Sequence, residues 1–458
     1  MTQICLYIMT SSIAGRIERL PWTSFHTRLV VLLALGEFFE LYDLFNAGFT
    51  VQPVSKFFAI PTTVTIFDII AVFFLGAFVG CVLFSYIGDS TGRRTALLLN
   101  LGIMSLGLLL TPFSPNPEVL ALLRFITGLG VGPEALIVID ILTTEFFPSK
   151  LRGRALSTAY TIAWLAPLTV ALLAYFLIPR TIVLQGWQWL YIIGGLGVIL
   201  IIPFRFLIPE SPRWLETRGR LEDAEKILSK MEEIARREKG ELPPPFQIKV
   251  PTITRVPISE LFSKAYRKRT IMLWIFEFLQ TGVYYGFASL APTVLFQKGF
   301  TLVHTLEYSV LIYSSYFLSS LVSIAVIDSV RFDRKYQVGG VALLMGIMGL
   351  LFGLASSATE VITTGFTFGF LSNIFSNSFH QYGAELYPTR IRSFADGVQY
   401  SLSRLGNFVW LSLLPLVLKS YGPFYMYVVV FVFAVIVFLD VVALGPRASR
   451  VELEELST

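Results

Sequence analysis

The chain has 458 residues, 54% of them apolar and only 15% charged, with a formal net charge of +5. Ordinary soluble domains carry about 25% charged residues, so too few polar groups are present to cover a water-facing surface of this size. A mean hydropathy of +0.68 excludes a soluble globular enzyme and implies a chain embedded in lipid.

In chain order, residues 1–27 read as a cytoplasmic tail, because the short apolar run Ile4–Met9 has no basic residues before it and is too short for a secretory signal. A bilayer core needs about 20 mostly apolar residues per helix. Twelve such runs centre near residues 40, 75, 103, 131, 167, 198, 281, 316, 346, 371, 406 and 432. The predicted fold is an all-α membrane protein of twelve transmembrane helices in two six-helix bundles, 28–208 and 270–445, with a short cytoplasmic tail at 446–458. Between the bundles lies a cytoplasmic linker, 209–269, which opens with Pro209, Glu210, Ser211, Pro212, Arg213, Trp214 and Leu215 and continues as a charged helical stretch to Lys239. Pro243, Pro244 and Pro245 end it, since proline cannot donate the helix hydrogen bond.

With the N-terminus placed inside, all but six of the 36 Lys and Arg fall on the cytoplasmic side. Lys56, Arg180, Lys298 and Lys419 lie outside, and Arg124 and Arg404 lie within spans. This bias predicts a multi-pass cell-membrane protein with both termini cytoplasmic. The basic surplus then faces anionic lipid headgroups, and no nucleic-acid partner is expected. Cys5 and Cys81 offer neither a disulfide framework nor metal-ligand spacing, so no metal and no cofactor are expected.

The two halves repeat at an offset of 240 residues. Glu145, Pro148, Lys150 and Arg152 return as Glu385, Pro388, Arg390 and Arg392, and Glu37-Phe38 returns as Glu277-Phe278. Gly88-Asp89 to Arg94 is echoed by Asp328 to Lys335. Duplicated units of this kind in transporters place a solute site at their interface near the bilayer midplane.

These residues resemble the major facilitator superfamily over about 28–445. Gly88, Asp89, Gly92, Arg93 and Arg94 look like its signature between spans two and three, and Arg124 with Gly128, Gly130 and Gly132 looks like its span-four pattern. Pro209 to Leu215 is similar to the motif after span six in sugar porters and organic-ion transporters. Tyr42-Asp43 resembles the span-one pattern of sugar porters, in which the aspartate carries the coupling proton and is held by the span-four arginine. Span seven, with Gln280, Gly282, Tyr284, Tyr285 and Gly286, departs from the sugar-porter motif and is more similar to organic-ion and aromatic-acid transporters, as is Ser403-Arg404-Leu405-Gly406. The resemblance implies that the charged loop residues pair to close the inner gate: Asp89, Arg93, Arg94, Glu145, Arg152, Glu210 and Arg213, with Asp328, Arg334, Glu385 and Arg392 in the second half.

The residues themselves support a charge-carrying interior. A charged side chain at the bilayer centre costs about 2.5–3.5 kcal/mol on insertion scales, yet Glu37, Glu40, Asp43, Asp68, Glu134, Asp140 and Glu277 all fall in spans. Burial favours the neutral form of an unpaired carboxyl, which then becomes a proton carrier. Asp43 with Arg124 is the expected proton-coupling pair, with Glu40 as a relay or a site for a cationic group. Gln280, Tyr284, Tyr285, Asn373, Asn377 and Arg404 are the expected solute contacts. The Arg404 guanidinium matches a carboxylate bidentately; the alternative is a local pairing with Asp68 or Glu277. His380 is read as structural.

The expected function is proton-coupled secondary transport of a small organic solute by a monomer, an organic acid being favoured and a sugar possible. A facilitator, or a proton antiporter exporting cationic or amphipathic compounds, is the alternative, and a non-transporting sensor a remote one. No nucleophile–base arrangement marks an enzyme.

Overall fold

A computed structural model describes residues 13–132, 142–246, 258–264, 266–327, 333–387 and 389–446. Glu134, Asp140 and Asp328 lie outside the described residues, as do the side chains of Asp89, Glu385 and Arg392.

Twelve spans follow one another among the described residues. The first half comprises span one, Ser24–Phe58; span two, Val72–Thr91, entered through Thr62–Ile66 and a π turn, Phe67–Ala71; span three, Arg93–Leu110; span four, opening as Pro117–Val131; span five, Ser149–Ala163 and Leu165–Leu177; and span six, Gly186–Gly195 running on to Ile201–Leu207. The second half comprises span seven, Arg267–Ala288, extended by Ala291–Gln297; span eight, Leu302–Ile327; span nine, Arg334–Leu354; span ten, Ala358–Glu385; span eleven, Thr389–Tyr421; and span twelve, Pro423–Leu444. A two-residue antiparallel hairpin, Thr181–Ile182 with Leu184–Gln185, is the only β-structure among the described residues.

The duplication in sequence is a duplication in packing. Spans one and five, two and four, and three and six pair in the first half; seven and eleven, eight and ten, and nine and twelve pair in the second. The halves meet where span five packs on span eight and span two on span eleven. Small residues set the closest crossing. A Cβ at Gly128 or Gly132 of span four would lie 2.0 Å from the carbonyl oxygens of Phe73 and Ala77, and one at Gly76 of span two 2.1 Å from that of Phe125. Only glycine lets the two backbones approach this closely, the small-residue packing usual in membranes.

On the face where the linker lies, Leu221–Lys239 is an amphipathic helix. Its buried residues Ala224, Leu228, Met231, Glu232 and Ala235 recur at helical spacing. Glu222 and Asp223 stand in its first turn and Arg236, Arg237 and Lys239 in its last, complementing the helix dipole. A short helix, Ile13–Glu18, falls within the segment expected as a tail. It is sewn to the linker: Arg16 bonds Glu232 at 2.9 Å and Glu225 at 2.5 Å, and Arg19 bonds Glu232 at 2.6 Å. Burial raises the Glu232 carboxyl, but hydrogen bonds and charge from Arg16 and Arg19 outweigh it and hold the group below the usual carboxylate range.

Candidate functional site

Two clusters of buried charge lie near mid-depth. The first is sealed. Nη1 of Arg124 donates to both carboxylate oxygens of Asp43, at 2.8 and 3.0 Å, and neither side chain has any exposed surface. Nε of Arg124 donates to the Ile69 carbonyl at 3.0 Å, which the π turn of span two presents; such turns recur at functional sites. The guanidinium also lies over the rings of Phe73, at 4.7 Å, and Tyr191, at 5.3 Å. Glycine packing of span four against span two gives that contact, and the Tyr191 hydroxyl is held by Thr50 at 2.9 Å.

The second cluster borders a central cavity of about 60 Å³ between the halves, room for a few waters. Arg404, 2% exposed, donates from Nη2 to the Tyr400 hydroxyl at 2.8 Å and lies 4.6 Å over the Tyr400 ring. Among the described residues its nearest carboxylate is that of Glu40, at 3.7 Å, and not Asp68 or Glu277. Its Nε has no hydrogen-bond partner among the described residues. Glu37, Gln280, Tyr284 and Tyr285 also line the cavity, Gln280 donating to Glu277 at 3.0 Å. His380, read as structural from the sequence, lines it too and stacks on Phe379.

Asn373 and Asn377 are not among the lining residues. Asn373 donates to the Tyr316 carbonyl and Asn377 to Asn373, so this pair braces span ten against span eight. Sequence reasoning missed Tyr400, Cys81, Trp164 and Tyr316. Tyr400 stands one turn before Arg404 and was detectable from that spacing; Cys81, whose thiol donates to the Gly132 carbonyl, carried no such signal.

Aromatic rings close the cavity on the side away from the linker. Phe45 packs edge-on to Tyr313 and Tyr316 at 5.4 and 5.2 Å, Trp164 stacks on Tyr316 at 5.6 Å, and Phe74 meets Tyr285 at 5.0 Å. Beyond them span one touches span seven so closely that a Cβ on Gly48 would lie 2.6 Å from the Ser289 carbonyl oxygen. The halves are therefore shut on this far face.

On the linker face the expected gating residues group within the first half. Arg93 pairs with Glu145 at 3.3 Å. Glu210 accepts the backbone N–H groups of Arg93 and Arg94, at 2.9 and 3.2 Å, capping span three. That approach requires Gly92, whose φ is +115° and whose added Cβ would meet the Glu210 carboxylate at 2.2 Å. Arg94 donates to the Arg205 carbonyl. Arg152 and Arg213 converge on Glu18, at 3.2 and 3.3 Å, a residue of the segment expected as a tail. Burial raises the Glu18 carboxyl, but hydrogen bonds from Ser149 and the charges of Arg152 and Arg213 outweigh that and leave it below the usual range. Arg334 is half-buried at the start of span nine.

Set beside known proteins, the chain matches the sugar (and other) transporter family over residues 29–458. It is 33% identical to the "Putative metabolite transport protein YyaJ" of Bacillus subtilis (strain 168), covering 87% of each chain. It is 30% identical to the niacin transporter NiaP of Acinetobacter baylyi, over 86% of this chain and 88% of that one. Among solved structures, a partially occluded inward-open form of the Escherichia coli xylose transporter XylE superposes with a TM-score of 0.77 at 18% identity, covering 94% of this chain and 100% of that one. At that identity the likeness shows the fold.

Proposed function

This chain belongs to the sugar (and other) transporter family, in the sugar-porter-like branch of the major facilitator superfamily, and from that premise we propose that it carries a small organic acid across the membrane together with protons. The observation that carries the reading is Arg404. It is a permanent cation on the wall of the central cavity, and among the described residues its nearest acid stands 3.7 Å away and its Nε has no hydrogen-bond partner. A cavity-lining guanidinium whose carboxylate neighbour stands off at 3.7 Å is ready for a bidentate carboxylate, which displaces Glu40 and leaves that side chain to take up a proton. Tyr284, Tyr285 and Gln280 supply ring faces and an amide around the same space. Niacin, after which one relative is named, is itself a small aromatic carboxylate.

Asp43 is the coupling group in this reading. Ion-paired to Arg124 it locks span one to spans two and four; protonated, it releases Arg124 and lets the first half change shape. Whatever shifts that conformational equilibrium also shifts proton binding, by linkage. The halves 28–208 and 270–445 rock about the cavity, the linker face is cytoplasmic with both termini on it, and the working unit is a monomer. Arg93, Glu145, Glu210, Arg152 and Arg213, with Asp89 and with Asp328, Arg334, Glu385 and Arg392 of the second half, bias the inner gate. Single wet ion pairs contribute at most about 1 kcal/mol, but several together tilt two states a few kcal/mol apart.

Uptake of labelled benzoate and related acids into proteoliposomes under an imposed pH gradient tests the proposal. Accumulation driven by an acid exterior is expected; solute movement indifferent to the gradient would overturn proton coupling. The carboxyls Glu37 and Glu40 on the same cavity wall favour a second reading, proton-driven export of cationic compounds. The sign of the pH change during transport separates the two.

A further inference from the structure

A second cavity, of about 170 Å³, lies near the far face between the two halves, remote from Arg404. The first half contributes Pro61, Thr62, Thr63 and Ile66; Thr293, Leu418 and Lys419 belong to the second. Thr62 begins a continuous helical run, Thr62–Gly88, of 27 residues. Its cap is Pro61, with no side-chain hydrogen bond to the first turn, so the opening N–H groups of this long helix have no partner within it and carry the positive end of its dipole.

A second, independent feature points to a ligand. Thr293 is 1% exposed, borders the cavity, and its hydroxyl has no hydrogen-bond partner among the described residues. Hydroxyls within helices usually return to a carbonyl three or four residues back, as Thr281 and Ser309 do here; that of Thr293 does not. Lys419, in the last turn of span eleven, brings a cation to the same space, and among the described residues no Asp or Glu lines it. Ile66 and Leu418 give an apolar wall. The volume is that of a single ring, since an engineered cavity of about 150 Å³ admits benzene.

We propose that this pocket is an outer anion site, taking a benzoate-sized organic carboxylate and holding the halves closed on the far face while it is occupied. The carboxylate sits between the Lys419 ammonium, the Thr293 hydroxyl and the N–H groups of Thr62 and Thr63, with the ring against Ile66 and Leu418. Because the walls come from both halves, parting them dismantles the site. A ligand bound there favours the far-closed state by its differential affinity and acts as an external brake on the cycle. The inference goes beyond the central-site reading and does not rest on it.

The test uses purified full-length protein carrying Cys5→Ser and Gln297→Cys, the latter a thiol on the cavity rim, with the rate of modification by a charged thiol reagent as readout. Benzoate is expected to slow labelling at least fivefold, with half-protection unchanged by Arg404→Lys and shifted tenfold or more upward by Lys419→Gln and by Thr293→Val. Absence of protection in the parent overturns the site, as does equal protection in Lys419→Gln and Thr293→Val. Protection that vanishes with Arg404→Lys but survives Lys419→Gln assigns the effect to the central cavity and likewise overturns it.

Discussion

Arg124 and Arg404 are both buried within spans and both lie over aromatic rings, yet they differ in how close a carboxylate stands and in whether a cavity lies beside them. Arg124 has a carboxylate at 2.8 Å, a carbonyl on Nε and two aromatic faces, with no exposed surface on either member of the pair. Arg404 has a tyrosine hydroxyl, one ring face and a carboxylate at 3.7 Å, and it borders a cavity. The repeat sharpens the contrast. Val283 and Thr364 stand 240 residues beyond Asp43 and Arg124, and Trp164 stands 240 before Arg404. Duplication has kept the scaffold and divided the charges, a locked pair in one half and an open cation in the other. Buried pairs of the first kind have their desolvation cost offset only while both partners remain, which suits a switch; the second kind suits recognition.

The largest effect is expected from breaking the locked pair. Asp43→Ala leaves Arg124 buried and unpaired, which costs about 3–5 kcal/mol and should appear as a large fall in melting temperature and yield. Asp43→Asn keeps the shape and the hydrogen-bonding side chain. It should reduce proton-driven accumulation to an internal-to-external ratio of one while solute exchange continues; continued concentration against a gradient would remove Asp43 from the coupling role.

Arg404→Lys is a smaller and more selective change. It keeps the charge and loses the two-pronged donor, so solute affinity should weaken about tenfold, roughly 1.4 kcal/mol, with little change in melting temperature. Unaltered affinity in a competition assay would end the bidentate proposal and with it the functional difference between the two arginines.

Least is expected from Glu18→Gln, where the ion pairs are wet. Exposed pairs contribute up to about 1 kcal/mol, so stability at neutral pH should fall by no more than that. Because the Glu18 carboxyl is held below its ordinary value in the folded chain, its contribution is complete above the unfolded pKa and fades as pH falls through the folded one. The parent and the variant should therefore converge in melting temperature at strongly acidic pH.

The bundle architecture is legible because lipid demands long apolar runs and the repeat offset aligns one half with the other. That Asp43 and Arg124 meet is readable from their depths in antiparallel spans. The partner of Arg404 is not, because Glu277 and Glu40 both lie near the middle of their spans and only the packing of the halves selects between them. Asn373 and Asn377 illustrate the converse: one turn apart at mid-depth they look solute-facing, and rotation of span ten turns them toward span eight. Glu18 escaped notice since a six-residue helix, Ile13–Glu18, is too short to signal itself by periodicity.

The clasp of that helix has a consequence for biosynthesis. Its partners arrive late: Arg16 awaits Glu232, 216 positions downstream, and Arg19 awaits the carbonyl of Pro243, 224 positions downstream. Domains begin to form while translation proceeds, from the amino end onward. Made ahead of its partners, this segment must therefore stand idle while six spans are threaded into the membrane, and the last knot of the first half is tied only after the connecting stretch has emerged.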